Sequence, residues 1–517
     1  MREVSALGAV LPIALGGTIY AAVAAGREAA GRGPAAEGGL RSIGFFAGLS
    51  GLWRADLGRG RGGAHWARRR ELRPLLVPAD EPGAGRLTIG SVGGAWRPLR
   101  VAAEPAQSLV VIGPTQSGKT SSLAVPAILD WPGPVVAASV KSDLLRDTHG
   151  ARTARGRVWC IDPTGVTGVA ASTWSPLLDC GHWPTARRVA ADLAECAKSD
   201  SPMTDGDFWH ATAAKLLAPL FFAAARDDRT IDDVVRWVDT QEMGEVSCIL
   251  ETCGVPEALD AARASWCRDE RTRSSVYTTA EMVLAPFVGS GAPAGPSGSS
   301  PVAGSSFDPC VLLSGSHTLY LCAPAHDQRR LRGYFTALTQ TIVSSAFSFA
   351  TARGVPLDPP LLVVLDEAAH IAPLPELDGL AATCASHGIQ LMTVWQDVAQ
   401  VRARYGGRAS TVLNNHRAKL FLPGIADPDS LDYASRLIGD QEVSLPSVTR
   451  DGRGGHSVTQ QRSPRRLLPP EELRCLPRGN AVLVYGTLPP ARVQLRPWWA
   501  DRRRRPAPTV RRTGPGG

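Results

Sequence analysis

The sequence predicts an α/β protein on a mostly parallel sheet, carrying a phosphate-binding loop, an inserted all-α domain and an N-terminal transmembrane helix. Three observations carry this expectation. Short apolar runs alternate with helical patterns, which is how a buried parallel sheet reads. The octapeptide GPTQSGKT, from Gly113 to Thr120, fits the whole G-x-x-x-x-G-K-[ST] pattern and lies between an apolar strand and a helix. Residues 4–25 (VSALGAVLPIALGGTIYAAVAA) carry no charge over about the 20 residues that span a bilayer.

The strands are expected at residues 109–112, 135–140, 158–161, 318–322, 361–365, 389–394, 419–422 and 481–485. Residues 185–198, 208–225, 231–238 and 272–287 instead show helical periodicity. The chain therefore divides into an N-terminal anchor with a basic juxtamembrane segment (1–74) and a nucleotide-binding domain in two parts (75–178 and 307–500). Between the parts lie the all-α insertion (179–288) and a flexible Gly/Pro/Ser loop (289–306); a basic tail (501–517) ends the chain. Residues 450–466, rich in Gly and Arg, read as a further loop.

Composition is that of a globular protein, 44% hydrophobic and 20% charged, and the net charge of +8 suits an anionic partner such as nucleic acid or lipid headgroups. The basic charge is almost all Arg; Lys119, Lys141, Lys198, Lys215 and Lys419 are the only lysines. In such a chain a retained lysine points to a place that needs a compact point charge. The ten cysteines form no Cys-x-x-Cys pair and read as buried, reduced thiols, and the histidines lack ligand spacing. For the N-terminus, the competing reading is a cleaved signal peptide. Arg2 and Glu3 cancel, so the positive leader is missing, and the arginines that follow the apolar stretch place the body in the cytoplasm. A second apolar piece, residues 43–53, is too short for a span of its own.

The phosphate loop explains its own residue types. Gly113 and Gly118 let the backbone bend tightly enough for its N–H groups to converge on phosphates. Pro114, Thr115, Gln116 and Ser117 complete the loop, and Ser121 opens the helix behind it. Lys119 is expected to reach the β- and γ-phosphates of ATP, and Thr120 to ligate Mg²⁺. In LLVVLDEAAH, Asp366 ends an apolar run, where ligands bind in open α/β sheets. Asp366 is assigned the Mg²⁺ shell, and Glu367 the orientation or deprotonation of the attacking water; the bland alternative is that Asp366 caps a helix starting at Glu367. Gln396 ends the next strand, residues 389–394, within TVWQDVAQV. A neutral amide there is suited to sense the γ-phosphate or the attacking water and to pass the change to the helix starting at Asp397.

Together with these motifs, SVKSDLL (139–145), DPTG (162–165), SPLLD (175–179), Phe208–Trp209, LDEAAHI with LPEL, GIQLMTVWQDVAQV and LPRGNAVLVYG occur in order. From about residue 87 to 499 the chain resembles the type IV secretion coupling proteins, the TraG/TraD group of conjugation ATPases. The resemblance implies a RecA-like motor domain with an all-α domain inserted in it, anchored to the cell membrane with the ATPase body in the cytoplasm and assembled as a homo-hexamer. It implies that a relaxase with its single-stranded DNA is recruited to the secretion channel and that ATP hydrolysis drives transfer. One departure stands out. Many members carry an arginine three residues before the glycine of GIQ, acting on the neighbouring subunit's ATP; here that position is Ala385. Arg402, Arg404 and Arg417 are the nearest substitutes in sequence. The alternatives are an ATP-dependent recruitment platform with little pumping, and a double-stranded DNA translocase of the chromosome-segregation type.

Overall fold

The computed structural model describes residues 63–501, except 79–84, 94–97, 199–205, 289–305, 325 and 451–455. The expected membrane helix (4–25), the apolar piece 43–53, nearly all of the Gly/Pro/Ser loop and the tail from 502 lie outside the described residues. The strands are β1 (Leu76–Val77), β2 (Thr88–Val92), β3 (Leu99–Ala102), β4 (Leu109–Ile112), β5 (Val135–Ser139), β6 (Val158–Ile161) and β7 (Thr318–Cys322). They continue with β8 (Leu361–Leu365), β9 (Ile389–Trp395), β10 (Ala418–Phe421), β11 (Asp440–Arg450), β12 (His456–Arg466), β13 (Asn480–Tyr485) and β14 (Ala491–Gln494).

Twelve strands form one sheet in the order β1-β3-β2-β14-β13-β10-β4-β9-β8-β5-β7-β6. From β10 to β6 every neighbour pair is parallel. From β10 to β1 every pair is antiparallel. The expected strand near residue 481 is thus present, but it runs against its neighbour rather than with it. The reason for the long apolar runs is visible in β4. Val110 and Ile112 join one hydrophobic cluster and Leu109 and Val111 the other, so alternate side chains fill both faces of the sheet.

Helices cover these faces. Between β6 and β7 the described residues hold helices but no strand. The longer ones are Trp183–Cys196, Gly206–Arg226, Ile231–Asp239, Gly244–Cys253, Pro256–Trp266 and Glu270–Leu284, and a short helix, Pro309–Leu313, leads into β7. Gly206–Arg226 is apolar and long enough to cross a membrane, yet it is mostly buried here, with Leu217, Phe221 and Phe222 in the same cluster as Val110 and Ile112. The starts are fixed locally: Thr230 and Asp233 form a reciprocal capping box, and the Asp269 carboxylate accepts from the Thr272 N–H at 3.0 Å.

Two further expectations are corrected. Residues 450–466 are largely the second half of a long antiparallel hairpin, β11 with β12, running in register from Asp440↔Arg466 to Arg450↔His456. Glycine and arginine suggested a loop, but in the sequence Val448, Thr449, Val458 and Thr459 supply the β-branched residues that favour strand. The cysteines are all free, as expected, but Cys248, Cys267, Cys310 and Cys475 are exposed rather than buried.

One buried polar link ties β9 to the segment that leads into β10. The His416 Nδ1–H donates to the Val412 carbonyl at 2.7 Å, which leaves Nε2 to accept from the Thr393 hydroxyl of β9 at 3.1 Å. Burial pushes the imidazole down to about 4. The unfolded chain therefore binds a proton between the ordinary histidine value of 6.5 and about 4 that the folded chain does not. Stability is expected to fall by about 1.4 kcal/mol per pH unit as pH drops through that window. Denaturant titrations across the window should show this slope reduced in His416→Gln relative to the parent.

Candidate nucleotide site

The site lies where β4, β9, β8 and β5 end side by side. Register sets it: Ile112 pairs with Trp395, Leu365 with Thr393, and Ala138 with Leu365. The loop leaves β4 at Gly113, whose N–H donates to the Trp395 carbonyl at 3.1 Å. A Cβ at Gly113 would meet Leu422 Cβ at 2.8 Å, so only glycine fits the floor of the loop. Gln116 and Gly118 turn through positive φ, 62° and 89°. The Ser117 hydroxyl donates to the Pro114 carbonyl at 2.7 Å, bracing the loop from within. The helix that follows opens with a π-helical turn, Thr120–Ala124, before continuing as Val125–Asp130.

Lys119 is buried. Its ammonium donates to the Gly113 and Pro114 carbonyls, each at 2.6 Å, and burial lowers its pKa. The Thr120 hydroxyl donates to Asp366 Oδ2 at 2.8 Å, joining the loop to the end of β8. Asp366 is buried; desolvation raises its pKa, and the Thr120 bond opposes that rise. Glu367 does not start a helix. It sits at φ 64° in a turn, a strained conformation for a residue with a side chain. The turn is anchored on both sides, by the Asp366 N–H on Ala138 and the Ala368 N–H on Val394. Asp366 thus does not act as a helix cap.

These groups line one cavity of about 410 Å³, with Thr115, Gln116, Gly118, Lys119, Thr120, Ser121, Asp366 and Glu367 on its wall. Gly113, Pro114 and Ser117 form the loop behind that wall. Gln396 is not on the wall: its N–H is held by the Gln400 side chain at 3.0 Å, at the end of β9 between β4 and β8. Five lining residues had no assigned role in the sequence: Lys141, Asp143, Arg146, Asp147 and Trp499. The first four belong to or follow SVKSDLL, a motif visible there without a function; Trp499 carried no signal.

A second cavity, of about 940 Å³, opens at the opposite end of the strands, where Gln107 precedes β4 and Arg417 precedes β10. Ala385 and Arg417 both line it. Arg417 pairs with Glu104 at 3.2 Å and lies 5.5 Å over the Tyr485 ring. Arg402 is instead paired with Asp429, and Arg404 donates to the Pro373 carbonyl at 3.3 Å. Neither lines this cavity.

Residues 84–511 match the family described as type IV secretory system conjugative DNA transfer. The chain belongs to this family. It is 26% identical over 470 residues to the conjugal transfer protein TraG of Escherichia coli, covering 81% of this chain and 72% of that one. It is 23% identical to the protein VirD4 of Agrobacterium fabrum, covering 76% of this chain and 59% of that one. Among solved structures, the bacterial conjugative coupling protein TrwB matches with a TM-score of 0.63 at 18% identity, over 84% of this chain and 92% of that one. TrwB in complex with ADP and Mg²⁺ matches with a TM-score of 0.58 at 19% identity, over 76% of this chain and 85% of that one. At these identities the TrwB likeness is one of fold.

Thr120→Val keeps the shape at the loop but leaves the buried Asp366 carboxyl without its donor. Chemical denaturation without nucleotide is expected to show a loss of about 1–3 kcal/mol. A loss near zero would mean that the Thr120–Asp366 bond contributes nothing to the closed loop.

Proposed function

We propose that this chain is a membrane-anchored ATPase that couples a relaxase–DNA or protein substrate to a type IV secretion channel and drives single-stranded DNA transfer. The observation that carries the reading is the convergence of Lys119, Thr120, Asp366 and Glu367 on one cavity in a chain of this family. The donors suit ATP with Mg²⁺: a buried ammonium, a hydroxyl beside a buried carboxylate, and a glycine-bent backbone loop. Mg²⁺, when bound, neutralises charge on the β- and γ-phosphates.

In this reading the chain's own residues divide the work. Gly113 to Ser121 bind the phosphates through the loop, and Lys119 offers its charge where the loop closes. Asp366 and Thr120 would hold the metal. Glu367 orients the attacking water and takes its proton, its backbone locked in one strained geometry. Gln396 senses the phosphate state from the neighbouring strand end and passes it to the helix Val398–Tyr405, whose first turn Asp397 caps at Gln400. The RecA-like body, the helical stretch 179–288 as a substrate-docking domain, a hexameric ring and an N-terminal anchor in the cell membrane complete the proposal.

The test is ATP hydrolysis by the detergent-solubilised full chain, with and without single-stranded DNA. Glu367→Gln is expected to keep ATP binding and lose about 10²- to 10⁴-fold in turnover. Wild-type turnover in that variant would overturn the base assignment. Gln396→Ala should likewise bind ATP and lose most turnover, and unchanged hydrolysis would remove the sensor role.

Ala385 favours a second reading, a recruitment platform that binds ATP for assembly and pumps little. Arg417 decides between them, because it shares a cavity with Ala385. If it acts on the neighbouring subunit's ATP, Arg417→Ala should cost about 10³- to 10⁵-fold in hydrolysis. A hexamer that binds ATP and transfers substrate without turnover would establish the platform.

A further inference from the structure

The nucleotide cavity has a polar end and a single aromatic wall. Apart from Trp499 its lining is hydroxyl, glycine, the Gln116 amide, ammonium, carboxylate and the Arg146 guanidinium, which is held by Asp147. None of these offers a planar apolar surface to a nucleobase. Of all the lining side chains Trp499 alone is aromatic, and half of its surface is exposed.

The short turn Trp498–Ala500 holds this indole in place. The Trp498 ring packs against the hydrophobic cluster on one face of the sheet, and its N–H donates to Asp147 Oδ2 at 3.2 Å. Asp147 also lines the cavity and binds Arg146 at 2.8 Å, so the turn is fastened to the cavity wall itself. On the other side, Asp501 meets Arg100 at 3.9 Å, and Arg100 meets Asp130 at 3.8 Å. The Asp501 N–H closes the turn on the Trp498 carbonyl at 3.2 Å. Trp498 and Trp499 lie with centroids 5.9 Å apart and planes at 81°, so the anchored ring sets the orientation of the lining one. A half-exposed indole fixed at both flanks costs little further entropy on stacking.

We propose that Trp499 is the platform on which the base of the bound nucleotide stacks, the specificity-determining contact on the one aromatic wall of the cavity. The inference rests on the nucleotide-site reading above. Stacking is sequence-tolerant because every base has a π-face, so the contact selects a nucleoside triphosphate over a bare polyphosphate rather than one base over another. The carboxyl-terminal segment thereby becomes part of the nucleotide site, although it is remote from the loop in sequence.

The test compares ATP with inorganic tripolyphosphate, which presents the phosphate chain without a base. Binding of each, with Mg²⁺, is measured by calorimetry on the full-length protein and on Trp499→Ala and Trp499→Phe. Trp499→Ala is expected to weaken ATP about 5- to 100-fold and to leave tripolyphosphate within twofold, with most ATP affinity restored in Trp499→Phe. Unchanged ATP affinity in Trp499→Ala would overturn the proposal. So would an equal loss for both probes, which would mean that the turn merely supports the cavity wall. If the wild-type protein bound neither probe, the nucleotide-site reading itself would fail, a result distinct from both.

Discussion

Everything at the site depends on the register of the parallel strands at its centre. β4, β9, β8 and β5 are neighbours, and their last residues are locked by the pairs Ile112↔Trp395, Leu365↔Thr393 and Ala138↔Leu365. A slip of one residue would turn every side chain to the opposite face. Because each of these strands is buried on both faces, the slip gains nothing by exchanging one apolar surface for another; what resists it is the fit of particular volumes. Trp395, fully buried, belongs to the cluster that contains Ile112 and Tyr405, and its ring lies 6.0 Å from that of Tyr405. The hydrogen bonds just beyond the strands, Gly113 to Trp395 and Asp366 to Ala138, extend this register into the loop and the acidic turn.

The electrostatics follow from that placement. Lys119 and Asp366 are both buried at the edge, and burial disfavours the charged form of each. Each feels the other's charge in the stabilising direction. The loop carbonyls and the Thr120 hydroxyl supply the hydrogen bonds that a pair of buried ions needs. Such a site is poised for a ligand of high charge, because phosphate oxygens and a divalent cation can take over contacts that the protein otherwise satisfies internally.

The centre of this architecture was legible in the sequence because parallel strands buried on two faces must be continuous apolar runs. Residues 109–112, 318–322 and 361–365 read correctly to the residue. The edge did not read. β2 is TIGSV and β3 is LRVA, half-buried strands with too little alternation to separate them from loop. The hairpin β11–β12 was hidden by its glycine and arginine, and the helix Gln328–Arg353 by a mixture of Thr, Ser and Arg along its length. At the site, the loop and Asp366–Glu367 were picked out in the sequence because a phosphate and a metal would demand particular chemistry at particular spacing, and the structure brings them to one cavity. Trp499 was not, because a stacking surface demands only a plane, and any aromatic reaching the cavity from anywhere in the chain supplies one.

The antiparallel edge carries a consequence for how the protein is made. β2 finds its inner neighbour in β14, at Gln494↔Ser91, across a sequence separation of 403 residues. β1, β2 and β3 can pair with one another as soon as they leave the ribosome, but the edge of β2 has no strand to meet until β14 follows. At translation rates of about 5–20 residues per second, that interval is roughly 20 to 80 s. Throughout it a nascent chain presents an open strand edge, the kind of template that recruits wrong partners. Biogenesis of this protein is therefore a matter of timing: the β1–β3–β2 unit keeps one open edge until β14 is made to pair with it.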